Sequence, residues 1–76
     1  DKAKMWIDKA IEMRENPAFW YYRQQSLIYA KAGDKKGAIK AAKESLKLAK
    51  EAGNNDYVAL NKESLSIWEG KKPVNK

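Results

Sequence analysis

Cysteine and histidine are both absent from this sequence, and each absence removes a class of chemistry. Without cysteine there can be no disulfide, thiolate metal ligand or thiol nucleophile, and the redox compartment is left open. Without histidine the usual zinc sites and the Ser–His–Asp triad cannot be assembled. Only carboxylate, lysine or tyrosine chemistry remains. Arginine is scarce, at Arg14 and Arg23 alone; base readers depend on it for bidentate contacts, so no specific nucleic-acid recognition is expected. No apolar run approaches the roughly 18 residues that a membrane span needs, and Asp1 to Lys4 lacks the layout of a signal peptide. The chain as given reads as soluble, with no compartment assigned. It opens at Asp1 rather than methionine, which points to a piece of something longer.

What is present is enough to fold. Of 76 residues, 43% are hydrophobic and 11% aromatic, too apolar for the composition of a disordered segment. The length leaves room for one core. A single helical domain over residues 1–70 with a flexible basic tail at 71–76 is expected. The net charge is +6, but Lys71, Lys72 and Lys76 lie in the tail, so much of that excess sits outside the domain.

Along the chain, Ala3, Trp6, Ile7, Ala10, Ile11 and Met13 line one side of a helix of about 3.6 residues per turn. Asn16-Pro17 interrupts it, with Asn16 as the expected cap of the next helix. Phe19-Trp20-Tyr21-Tyr22 places four successive aromatics around that second helix, which is expected to be the most buried. Gly33 can adopt a left-handed stop and Asp34 can cap the third helix. That helix has a small-residue face at Ala38, Ala42, Ser45 and Ala49. Gly53-Asn54-Asn55-Asp56 supplies a second stop and cap before Tyr57, Val58, Leu60, Leu65, Ile67 and Trp68. The spacing predicts helices near 2–14, 17–32, 35–52 and 56–69.

The sequence also repeats itself. Ala3, Ile7, Ala10, Ile11 and Met13 recur 35 places later as Ala38, Ala42, Ser45, Leu46 and Leu48. Phe19, Trp20, Tyr22, Ser26, Leu27 and Tyr29 recur 38 places later as Tyr57, Val58, Leu60, Ser64, Leu65 and Ile67. A two-helix unit of this length resembles the tetratricopeptide repeat (TPR), which spans about 34 residues. Tyr22, Ser26, Tyr29, Gly33-Asp34, Ala38 and Ser45 stand at signature positions of that family. Gln25, Ala42 and Lys50 depart from it, where the family prefers leucine, an aromatic and proline. The resemblance implies an all-α fold of four antiparallel helices, arranged as right-handed TPR-like hairpins in the order B–A–B–A. With so few repeats, Trp6, Trp20 and Trp68 would have to compensate by burying large areas. A fainter resemblance is to the C-terminal helical region of an uncharacterised bacterial family in which a β-rich domain precedes such helices.

Candidate chemistry is thin. Asp8 and Glu12 form an i,i+4 carboxylate pair whose surroundings suit a solvated face better than acid–base work. Asn54, Asn55, Asp56 and Glu63 lack the spacing of a calcium loop, and Gly33 and Gly37 lack that of a phosphate loop. No catalytic residue, metal or cofactor is therefore expected. Lys36, Lys40, Lys43, Lys47 and Lys50 form a stripe along the third helix, read first as a solubilising face and second as a binder of anionic surfaces. In the resembled family the A helices line a concave groove. Carried over by position, Trp20, Arg23, Leu27, Asn61, Leu65 and Trp68 face it, with Arg23 and Asn61 as polar selectors. Leu27 stands where the family's carboxylate clamp requires asparagine, so that clamp is not expected. The implied function is non-catalytic: docking of a helix or extended segment from a protein, a peptide or a flanking domain of the parent chain. The alternatives are that these apolar residues close the core of a purely structural domain, or that the chain is an engineered scaffold. Oligomeric state is not legible.

Overall fold

The computed structural model describes residues 2–70. Among them are four helices and no strand: α1 (Lys2–Glu12), α2 (Phe19–Lys31), α3 (Lys35–Ala52) and α4 (Asn55–Trp68). The expected tail at 71–76 lies outside the described residues.

Local chemistry explains most of the boundaries. Gly33 and Gly53 take φ of 88° and 75°, the left-handed region open to a residue without Cβ. Asp34 accepts a hydrogen bond from the Gly37 amide at 2.9 Å, and Asn54 accepts one from the Tyr57 amide at 3.1 Å. Each satisfies an orphan donor of a first helical turn. The end of α2 and both ends of α4 differ from expectation by one residue, and two boundaries differ by two. α1 stops at Glu12 because the next turn tightens, with the Arg14 amide donating to the Ile11 carbonyl at 3.1 Å. α2 begins at Phe19, capped by Ala18 in extended conformation with no side-chain bond, so Asn16 is not its cap. Phe19 is nearly buried and its ring meets Tyr57 edge-on, with centroids 4.9 Å apart. That anchor coincides with the start of the helix.

The extensive interfaces are α1–α2, α2–α3 and α3–α4. The Cα envelope measures 40 × 32 × 14 Å, room for about two layers of helix, since the Cα cylinder of a helix is roughly 5 Å across and packed axes lie about 8–10 Å apart. Such a slab can enclose few large side chains. The core accordingly consists of Ile7, Phe19 and Leu65 around Ala38, Ala41, Ala42 and Ala49. The most buried helix is α3, not α2: α3 hides Ala38, Ala41, Ala42, Ser45 and Ala49, whereas α2 hides only Phe19 and Ser26. Small residues let backbones approach closely, so the alanine face sits between α2 and α4 while the α2 aromatics spread over the surface. Trp6 and Trp20 do not compensate for the short array; they are 56% and 50% exposed.

Tyr29 crosses the start of α3, and a Cβ placed on Gly37 would overlap its ring. Alanine is intrinsically favoured over glycine in a helix by about 1 kcal/mol, so two effects compete in Gly37→Ala. The overlap involves ring carbons held between helices, so overpacking wins. Denaturant melts are expected to show Gly37→Ala destabilised by about 1–3 kcal/mol; a stabilised variant would contradict the placement of Tyr29.

Candidate functional site

The polar groups inside the slab come first, because they position the rest. Ser45 and Asn61 are fully buried. Asn61 Nδ2 donates to Ser45 Oγ at 2.8 Å, and Ser45 Oγ donates to the Phe19 carbonyl at 2.8 Å. Three helices are thus joined through two side chains. At the outer end of this chain, the Arg23 guanidinium donates to Asn61 Oδ1 at 3.2 Å and to Ser64 Oγ at 2.8 Å. Partial burial lowers the Arg23 pKa from its ordinary value, an effect opposed by the Tyr57 phenol. No buried side-chain nitrogen or oxygen among the described residues lacks a partner.

The six residues expected at a groove therefore divide. Trp20 and Leu27 are exposed on α2, the latter by 45%. Seven residues apart, they lie on one line of the helix. Arg23 is half-buried and bonded across to α4. Asn61 and Leu65 are buried, and Trp68 is half-buried. Met5 and Trp6 on α1, Met13 just after it, and Leu60 on α4 are exposed as well but are not among the six. Hydrophobic spacing alone does not separate such residues from core, because both recur on helical faces.

All five stripe lysines are exposed, and Lys43 pairs with Glu69 at 3.4 Å. A crevice of about 640 Å³ lies between α2 and α3, lined by Tyr22, Gln25, Tyr29, Gly37, Lys40, Ala41 and Glu44. Burial and the Glu44 carboxylate raise the Tyr22 pKa. At the crevice end Tyr29 Oη donates to Asp8 at 2.5 Å, Gln25 donates to the same carboxylate at 2.9 Å, and Lys4 lies 4.7 Å from the Tyr29 ring centroid. Tyr29 thereby ties α1 to α2 and rests on α3. Among the described residues no group of acidic side chains has the arrangement of a metal site, and no helix is long and apolar enough to cross a membrane.

Comparison with family models, curated proteins and solved structures finds no match to this chain.

Donation to Asp8, then burial, then the nearby carboxylates of Asp8 and Asp34 push the Tyr29 pKa up to about 12 from 10. The shift favours the protonated phenol in the folded state. Its contribution to stability is complete below pH about 10 and is lost as pH rises through about 12. Ultraviolet titration of the parent minus Tyr29→Phe is expected to isolate a phenolate transition near pH 12. A difference curve centred at pH 10 would refute the Asp8–Tyr29 bond.

Proposed function

We propose that this chain is a TPR-like, non-catalytic interaction module that docks a helix or an extended segment of a protein partner against α2. The hairpin reading is supported by how contacts run along α1 and α2: Lys4 reaches Tyr29 and Asp34, Asp8 reaches Gln25, and Arg14 stacks on Tyr21. Sequence numbers fall on one helix as they rise on the other, as antiparallel packing requires. On this reading the 35- and 38-residue sequence offsets make the order B–A–B–A, with the right-handed hairpins that the resemblance implies.

The observation that carries the function is the exposure of Trp20 and Leu27 on one line of α2, beside the polar bridge from Arg23 to α4. Large apolar residues grouped on a surface are candidate contact anchors. In this reading Arg23 and Asn61 hold α2 and α4 in register, while Trp20 and Leu27 meet the partner. The partner is a separate protein or a flanking domain of the parent chain.

Selection of a displayed library of helical and extended peptides on the immobilised chain tests this directly. Enriched peptides are expected to lose at least about tenfold in affinity on Trp20→Ala or Leu27→Ala, as truncation of an interface anchor does. Leu27→Ala is also expected to cost well under 1 kcal/mol of stability, as at a surface site. Binding indifferent to both changes, or a loss of about 2–5 kcal/mol at Leu27 as at a core leucine, would overturn the proposal.

A further inference from the structure

The internal repeat says what should cover the bare sides of α1 and α4. In the α2–α3 crevice, α2 presents Tyr22, Gln25 and Tyr29, and α3 presents Gly37, Lys40, Ala41 and Glu44. At the 35-residue offset, the α3 set corresponds to Lys2, Met5, Trp6 and Lys9 on α1. All four are exposed, Met5 by 70%. At the 38-residue offset, the α2 set corresponds to Leu60, Glu63 and Ile67 on α4. Leu60 and Glu63 are exposed and Ile67 is half-buried. The two edges packed together within α2–α3 thus recur separately on the first and last helices, exposed for the most part, with Trp6 and Lys9 also bordering Tyr21 of α2.

We propose that these edges meet in a second copy of this chain: α4 of one molecule packs on α1 of the next, head to tail, as α2 packs on α3. Two features match the edges to each other. Size is exchanged across the contact. Within the chain large tyrosines lie over Gly37 and Ala41; between copies the smaller Leu60 and Ile67 lie over the larger Lys2 and Trp6. Charge is complementary as well. Tyr29 lies on Gly37, and the Glu44 carboxylate acts on Tyr22; in that register Ile67 falls beside Lys2 and Leu60 beside Lys9. Glu63 then sits between two lysines, where the internal equivalent, Gln25, is neutral. The α4 edge carries Asp56 as a further acid. Complementary charge of this kind selects register and partner. The contact is heterologous, so each joined pair keeps one free edge of each kind. It uses neither Trp20 nor Leu27 and is independent of the peptide-docking reading.

Sedimentation velocity over a concentration series tests the proposal. The parent is expected to associate with a Kd on the order of 100 μM, weakening in about 1 M salt as surface charge is screened. Trp6→Ala weakens the α1 edge by removing its largest apolar group, and Glu63→Lys disables the α4 edge by facing Lys2 and Lys9 with like charge; each variant alone is expected to associate at least about tenfold more weakly. An equimolar mixture is expected to recover one joint, because the first variant keeps its α4 edge and the second its α1 edge, while the joint between the two altered edges gains no compensating pair. Trp6 and Glu63 are exposed, and circular dichroism checks that both variants fold; Met5→Ala substitutes for Trp6→Ala if that one does not. A parent that stays monomeric to about 1 mM would overturn the proposal. So would variants that associate like the parent, or a mixture that recovers no dimer.

Discussion

Everything else in this fold is arranged around a short buried chain of hydrogen bonds, from Asn61 through Ser45 to the Phe19 carbonyl. Buried polar groups are costly unless paired, and an orphaned one costs about 1–3 kcal/mol. Here the pairs run between helices, so the three can satisfy one another only in a single register. Ser45 can reach both neighbours because it sits in the alanine face of α3, where no bulky side chain separates the backbones. Arg23 continues the chain outward and fixes α2 against α4 where the slab meets solvent.

A core of alanine and hydroxyl groups has a consequence for the surface. It encloses little volume, so the large apolar residues do not all enter, and Met5, Trp6, Trp20, Leu27 and Leu60 stay exposed. Trp20 and Leu27 lie on α2, Met5 and Trp6 on α1, and Leu60 on α4. The same packing that gives the domain a defined register leaves its stickiest side chains outward. The interaction role we propose draws its support from that economy of core more than from any one residue.

Much of the fold was readable from the residues alone. Helical periodicity placed all four helices, α3 to the residue, and Gly33, Asp34, Gly53 and Asn54 act at the helix ends as their backbone and capping chemistry implies. The start of α2 was not readable. Asn16-Pro17 is a good local cap signal, but α2 begins at Phe19, whose ring is packed on Tyr57 some 38 residues away. The ranking of burial was also hidden, since four consecutive aromatics look more central than a run of alanines until α3 is seen packed between α2 and α4. Asn61 is the sharpest case. An asparagine on a helix face reads as exposed, and only the position of Ser45 on another helix shows that it is interior. Of the candidate site, Trp20 and Leu27 are exposed, whereas Asn61 and Leu65 are buried. The exposure of Met5 and Leu60 could have been inferred only by extending the repeat one helix further in each direction.

The dependence of the fold on the Asn61–Ser45 bond is tested most directly by a double-mutant cycle: Asn61→Ala, Ser45→Ala and the pair, each melted in denaturant. Either single change strands a buried partner, whereas the pair removes both groups together. The double variant is therefore expected to be more stable than the summed single effects imply, with a coupling of about 1–3 kcal/mol. Single effects that add to within about 0.5 kcal/mol would contradict the view that this bond sets the register of the helices.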